Sequence, residues 1–189
     1  MAVSNNAVAG VVLNYLEENP GELETVGPLV LAAMAGPSSV TDRATMPGHV
    51  TCRAVVVTSD WRVLHIHHRR LARWLLPGGH VEAVDRSLFG TALRQLARET
   101  GIATNVVIPD TARPVDIEAH IIPADSAWDE PAHIHYDVRF VLHVPDVTVC
   151  LPSGEISDHR WILLEELPGI LGDKLRVHSA RSGWARVSR

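Results

Sequence analysis

The stretch that decides the fold is residues 74–102, WLLPGGHVEAVDRSLFGTALRQLARETGI. It opens with a short apolar strand that ends at Pro77. Gly78 and Gly79 then predict a sharp turn of the backbone that leaves room for a ligand. About fifteen residues compatible with a helix follow, and Gly101 has the position of a C-terminal helix cap.

The predicted helix has two distinct faces. Leu88 and Leu96 lie on an apolar stripe at helical spacing, which predicts that this side packs on a core. Gln95, Arg98 and Glu99 lie on a shared polar face. A glycine loop that leads into a helix with clustered polar groups is suited to a metal-phosphate site.

These residues resemble the Nudix box, G-x5-E-x7-R-E-U-x-E-E-x-G-U, in which U is a bulky aliphatic residue. Gly79 matches the opening glycine, and Asp85 stands near the first acid. The second half is matched by Arg94, Leu96, Glu99, Gly101 and Ile102. Asp85 and Arg94 are one residue too far apart, which an extra residue in the loop would absorb.

Two glutamates of the box are replaced, by Gln95 and Arg98. In the family those acids hold divalent metal ions together with the acid matched by Glu99. In the family an acid from a mobile loop serves as metal ligand or base, and Glu155 stands at about the place of that acid. It therefore implies Mg²⁺ or Mn²⁺ on Glu99, Gln95 and Glu155, with Glu99, Glu155 and Arg94 as the catalytic residues.

Further blocks extend the resemblance over roughly residues 48–168, and they look like a bacterial Nudix subgroup. The clearest are GHVT at 48–51 and HIHYDVRF at 133–140. The fold implied is a Nudix-type α/β/α sandwich with a mixed β-sheet.

Hydrophobic patterns outside the box predict the other elements. Helices at 7–18 and 22–35 form an N-terminal helical extension, residues 1–45, and the Nudix-like domain takes residues 46–189. A closing helix is predicted at 173–186. The predicted strands are 50–59, 63–70, 106–109, 114–123, 133–144, 147–151 and 159–163.

The altered polar face has three interpretations. Glu99 and Glu155 keep a weakened metal site; or Arg98 replaces part of the metal's work by gripping phosphate with its planar guanidinium; or phosphate chemistry is lost, and the cavity serves another reaction or binding alone. Arg94 is expected to pair with Asp85 or Glu99, or to be a solvated surface arginine.

Several residues are candidates for substrate contact: Gly79, His80, Glu82, Arg98, His133, His135 and Asp137. His80 and Glu82 either touch substrate or only cap the turn. Trp128, in a loop-like stretch, is a candidate for stacking on a base.

Two histidines and one acid alternate at His133, His135 and Asp137, so they face one side of a strand. Such a set is able to bind a transition metal, because imidazole suits zinc or iron better than magnesium. The alternative is that these histidines are hydrogen-bonded residues that shape the pocket.

The chain has 189 residues and a net charge of -5, which argues against general affinity for nucleic acid. No segment resembles a signal peptide or a membrane span, so a cytoplasmic protein is expected. The expected partner is a phosphorylated small molecule, and the chain is a monomer or homodimer.

The sequence thus predicts a hydrolase that cleaves a phosphoanhydride bond in a nucleoside-diphosphate-linked or related molecule, in a specialised biosynthetic pathway. The alternative is a non-hydrolytic protein of the same fold that binds a ligand or runs another reaction in a histidine-lined pocket.

Overall fold

A computed structural model describes residues 2–126, 129–152 and 154–181. Three single-turn 3₁₀ helices, at Pro20–Glu22, Thr104–Val106 and Leu164–Glu166, connect the larger elements. Those elements, in chain order, are α1 Asn5–Glu18, α2 Leu23–Ala35, β1 Gly48–Thr58, β2 Arg62–His68, β3 Arg73–Leu75, β4 Gly78–His80, α3 Leu88–Thr100, β5 Ile108–Pro109, β6 Asp116–Ile122, β7 His133–Val144, β8 Ile156–Leu163 and α4 Gly169–Arg181.

The eight strands form one mixed sheet around a parallel central pair, β1 and β7. Strands β2 and β4 pair antiparallel with β1, and β5 and β6 pair antiparallel with β7. Strands β3 and β8 flank β2. The predicted α/β fold with a mixed sheet and flanking helices is confirmed.

Alternate residues of β1 face opposite sides of the sheet. Val50, Ala54 and Val56 belong to a core that includes buried residues of α1, α2 and α3. Val55 and Val57 face a second core, to which α4 contributes Leu175. The apolar face that β1 shares with α4 does not extend to the start of the strand, where the same side carries His49, Thr51 and Arg53.

Helix α3 forms because its sequence supplies both caps and a buried stripe. The Ser87 hydroxyl accepts a hydrogen bond from the Gly90 N–H at 2.9 Å. At the other end Gly101 takes the left-handed conformation, with φ of 68°. Leu88 and Leu96 are buried, so the predicted helix and its stripe are confirmed.

The predicted glycine turn is wrong. Gly78 and Gly79 are extended residues of β4, opposite Arg53 and Cys52 of β1. A Cβ on Gly78 would lie 2.3 Å from the Cys52 carbonyl oxygen, and one on Gly79 would lie 2.6 Å from Gln95 Nε2. The space expected for a ligand is filled by β1 and α3 instead.

The strand predicted at 147–151 is also wrong. The segment has no ladder partner in the described structure, and its apolar residues Val147 and Val149 pack on the first core from an irregular backbone. The Cys150 N–H donates to the carbonyl of Thr100 at 2.9 Å, which ties the segment to the end of α3. The strand predicted at 106–109 is reduced to two residues.

The N-terminal helices are joined to the rest of the chain by apolar packing and by polar contacts that include an ion pair between Glu18 and Arg113. The Lys174 Nζ of α4 lies 2.5 Å from a carboxylate oxygen of Glu22 and 2.5 Å from one of Asp116. The domain boundary at residue 45 stays a prediction. Residues 182–186 of the predicted closing helix lie outside the described residues.

Candidate functional site

The loop between β4 and α3 is fixed by Arg94. Its Nε and Nη2 atoms each donate to a carboxylate oxygen of Asp85 at 2.7 Å. Its Nη1 donates to Glu82 at 2.8 Å, and Nη2 also donates to the His80 carbonyl at 3.1 Å. Asp85, one of the two partners predicted for Arg94, is thus held by a bidentate ion pair, a geometry that orients the loop.

Two polar side chains of α3 point at the backbone of β4. The Glu99 carboxylate accepts a hydrogen bond from the Gly78 N–H at 2.8 Å, and Gln95 Nε2 donates to the His80 carbonyl at 3.3 Å. Glu99 is 4% exposed and Gln95 is 2% exposed. Burial raises the pKa of Glu99 to about 7.

The surroundings of Gln95 and Glu99 fit a cation. Within the described chain the buried Gln95 Oε1 has no hydrogen-bond partner. In the same residues Glu99 makes no ion pair with any lysine or arginine within 4.0 Å. Arg53 and Arg98 act on Glu99 only from a distance, so a buried carboxylate with no close ion pair, beside an unused amide oxygen, gains from a hard cation such as Mg²⁺ or Mn²⁺. We call Gln95, Glu99 and Glu155 the oxygen site.

Glu155 connects this helix to a cavity. Its carboxylate lies 3.4 Å from Arg98 Nη2, and both side chains are at least half exposed. Glu155 lines a cavity of about 960 Å³, and Glu99 does not. The other lining residues are Arg43, Ala44, Met46, His68, Arg69, Arg70, Asp129, Glu130, Pro131 and Gly154. Three arginines and three acids line this wall, and Arg43 pairs with Glu130 at 3.6 Å, so the wall offers both cationic and acidic groups to a ligand.

A transition-metal site at His133, His135 and Asp137 stays a prediction, while the hydrogen bonds that the structure gives to Asp137 come from β1. The three residues do share one face of β7, but Asp137 lies farther along the strand. There its carboxylate accepts hydrogen bonds from the Thr51 hydroxyl and, at 3.0 Å, from Arg53 Nε. Neighbours on β1 therefore satisfy Asp137, which is 4% exposed.

His49 takes the place expected for Asp137. It lies opposite His135 in the parallel ladder and stacks on the ring of His133, with ring centroids 4.9 Å apart. His80 of β4 completes the group, with its Nε2 atom 3.1 Å from that of His49. We call His49, His80, His133 and His135 the imidazole cluster. Burial lowers the pKa of His80 to about 4 and that of His135 to about 3.

Sequence reasoning missed three residues of the site: His49, Thr51 and Arg53. They alternate at the start of β1, which is the pattern of one polar strand face, so the signal was present. The apolar residues between them hid it. Trp128, the predicted stacking residue, lies outside the described residues.

Comparison with protein-family models matches the NUDIX domain over residues 48–182. Among curated proteins none matches the chain. The structure of a C. elegans Ap4A hydrolase binary complex is similar, with 18% sequence identity and a TM-score of 0.54; the match covers 69% of this chain and 95% of that one.

Two other similar structures have lower TM-scores. The NUDIX domain of Shewanella oneidensis NrtR, complexed with ADP ribose, is 23% identical over 70% of this chain and 85% of that one, with a TM-score of 0.48. A MutT NUDIX hydrolase from Burkholderia pseudomallei is 21% identical over 68% and 92%, also with a TM-score of 0.48.

No helix in the described part of the chain is both long and apolar enough to cross a membrane. The resemblance to the Nudix family is confirmed, while the bacterial subgroup and its sequence blocks stay predictions. Because the family model matches most of its residues, the chain belongs to the NUDIX domain family.

Proposed function

We propose that this protein is a Nudix-type hydrolase that cleaves a phosphoanhydride bond in a nucleoside-diphosphate-linked or related phosphorylated small molecule. Family membership supports a hydrolase. One observation carries the proposal: in the described residues Glu99 is a buried carboxylate with no ion pair within 4.0 Å, one helical turn from the orphan oxygen of Gln95. That pair has the chemistry of an incomplete ligand set for a divalent cation.

Glu99, Gln95 and Glu155 would hold Mg²⁺ or Mn²⁺, which supplies charge neutralisation at the phosphate oxygens. Arg94 acts indirectly on Gln95 and Glu99. It donates to the His80 carbonyl, and it fixes the loop that precedes α3 through Asp85.

The exposure of each candidate side chain decides which role we propose for it in substrate binding. Arg98, half exposed beside Glu155, is placed to meet a phosphate at the cavity rim. His80 and Glu82 remain candidates at the loop. His133, His135 and Asp137 are buried, so their proposed part is to support the pocket wall. The cytoplasmic location and the role in a specialised biosynthetic pathway stay predictions.

The test is turnover of a substrate panel followed by ³¹P NMR. Nucleotide sugars, dinucleoside polyphosphates and ADP-ribose are each incubated with the protein in Mg²⁺, in Mn²⁺ or in EDTA. We expect at least one class to be cleaved at a phosphoanhydride bond with metal and to stay intact in EDTA. If every substrate stays intact while one binds, the hydrolase proposal is overturned.

The Arg98–Glu155 pair supports a second candidate, a binding protein without turnover. Arg98 repels a cation from the place where the box has an acid, and it holds one of the remaining carboxylates at 3.4 Å. This candidate expects calorimetric binding of a diphosphate ligand in EDTA that Arg98→Gln weakens. Glu155→Gln, which releases Arg98, would strengthen the binding.

A further inference from the structure

Three strands bring four imidazole rings together. His49 of β1 lies opposite His135 of β7, and His133 is two residues earlier on the same face. His80 enters from β4, the neighbour of β1 on its other side. Ring centroids are 4.8–5.1 Å apart in four pairs: His49–His80, His49–His135, His80–His135 and His133–His135. His49, His133 and His135 are 0%, 3% and 8% exposed, so the rings have little access to solvent.

Hydrogen bonds at the Nδ1 atoms of two rings orient the Nε2 atoms of those rings toward the cluster. His133 Nδ1 lies 2.9 Å from the Pro131 carbonyl, and His49 Nδ1 lies 3.3 Å from the Thr45 carbonyl. A carbonyl only accepts hydrogen bonds, so each Nδ1 carries the proton. The Nε2 atom of each ring therefore presents a lone pair to the cluster. Metal-binding histidines have this arrangement, in which the outer nitrogen donates to a carbonyl or carboxylate.

The spacing of the inner nitrogens is that of metal ligands. The Nε2 atoms of His49 and His80 are 3.1 Å apart, and those of His133 and His135 are 3.0 Å apart. Four nitrogens at Zn–N distances of about 2.0–2.1 Å form a tetrahedron with edges of about 3.3–3.4 Å. The ligand atoms of His49, His133 and His135 lie within 4.8 Å of one another, and His80 joins these three through the contact of its Nε2 atom with His49.

An acid at the edge of the cluster adds favourable charge. A carboxylate oxygen of Glu130 lies 3.9 Å from His133 Nε2, and Glu130 also lines the large cavity. The cluster is thus next to the cavity while remaining separate from the oxygen site on α3. All four of its donors are imidazole nitrogens, which prefer zinc-class ions over magnesium.

We propose that His49, His80, His133 and His135 form a binding site for one divalent transition-metal ion of the zinc class. The ion joins β1, β4 and β7, and its nitrogen ligands exclude magnesium. The site is independent of the proposed hydrolase activity.

The test is a titration of the untagged, EDTA-treated full chain with Co²⁺, followed by visible absorption, and then competition by Zn²⁺. We expect one equivalent of Co²⁺ to give the intense absorption of tetrahedral cobalt, which Zn²⁺ abolishes and Mg²⁺ leaves unchanged. His80→Gln and His135→Gln each weaken Co²⁺ binding by more than about 10-fold, the smallest loss seen when only an outer partner is removed.

His65→Gln is the matched control, because His65 is a partly buried histidine of β2 whose Nδ1 atom also meets a backbone carbonyl, at 3.3 Å. It keeps wild-type Co²⁺ affinity. Far-ultraviolet circular dichroism without metal checks folding. His80 is only half buried, so His80→Gln decides the matter if His135→Gln fails to fold.

The proposal is overturned if the wild-type chain binds no Co²⁺ above the level of the double variant His80→Gln/His135→Gln. It is also overturned if the bound Co²⁺ gives the weak absorption of an octahedral ion. Equal affinity in His80→Gln and His65→Gln overturns it as well, since four imidazoles would then not share one ion.

Discussion

Strand β4 lies between two polar regions whose side chains offer different ligand atoms. On one side the oxygen site presents Glu99 and the orphan amide oxygen of Gln95. On the other side the imidazole cluster presents nitrogens alone. His80 serves both regions, because its carbonyl accepts from Gln95 and its ring meets His49.

The three residues of β4 thus keep a region of oxygen ligands apart from a region of nitrogen ligands. Hard oxygen donors suit Mg²⁺ or Mn²⁺, whereas imidazoles suit zinc-class ions. The two regions are also opposite in their response to protons. Burial raises the pKa of Glu99 and lowers those of His80 and His135, so both regions resist carrying charge.

The largest expected effect is the loss of turnover when the oxygen site alone is broken. Glu99→Gln keeps the shape of the side chain and removes its negative charge. We expect kcat/KM on the substrate found in the panel to fall by about 100-fold or more, within the range for a lost acid-base or charge-stabilising group. Glu166→Gln, at an exposed position on the 3₁₀ helix after β8, is the control. Unchanged kcat/KM in Glu99→Gln would remove Glu99 from the mechanism.

The next effect concerns stability against pH in metal-free buffer. Folded Glu99 keeps its proton up to a pKa of about 7, whereas the unfolded chain loses it near 4.5. Between these values the folded state binds more protons, so its stability falls as pH rises. The fall amounts to about 3 kcal/mol. Urea denaturation at pH 4 and pH 8 should show it as the difference between the wild type and Glu99→Gln, because the lowered pKa values of His80 and His135 make both proteins more stable over the same pH range. In Glu99→Gln this contribution should be absent, and equal pH dependence of the two proteins would contradict it.

A third prediction isolates the imidazole cluster. Zn²⁺ at one hundred times its Kd adds about 2.7 kcal/mol of stability by mass action. For a chain of this size that raises Tm by roughly 5–10 °C. Differential scanning calorimetry should show the rise in the wild type and in His65→Gln, and not in His135→Gln. A rise of the same size in His135→Gln would place the zinc ion elsewhere.

The smallest effect sharpens the role of Arg98. Arg98→Glu restores an acid at the box position and removes the repulsion of a cation. We expect Mn²⁺ to bind about 10-fold more tightly, which is about 1.4 kcal/mol. Isothermal titration calorimetry measures it, with Arg98→Gln as the matched variant that removes charge without adding an acid. Equal affinity in the two variants would show that only the repulsion mattered.

Local patterns were enough to predict much of the fold. Helix α3 has its periodic leucines and the Ser87 and Gly101 caps within one short stretch, so no distant contact is needed to predict it. Arg94 and Asp85 are equally local. The prediction of a strand at 147–151 was wrong because alternating valines indicate only that the valine side chains are buried. Val147 and Val149 pack on the core without pairing to a neighbouring strand.

The imidazole cluster was only half predictable, for a physical reason. The alternation of His133 and His135 fixes their common face, but the residues beside them depend on the register between β1 and β7. That register puts His49 against the histidines and Thr51 against Asp137. Pairing across more than eighty residues leaves no trace in either segment alone.

The contact of Gly79 with Gln95 limits what the opening glycine of the box can reveal. A side chain at position 79 would collide with Gln95 Nε2 at 2.6 Å, whatever reaction the protein performs. Gln95 is buried and has little room to turn away, so a chain that kept this helix-to-strand distance and gave up catalysis would still gain from the glycine. Its presence is diagnostic of packing distance, and searches that weigh it as a mark of turnover will collect inactive relatives as well.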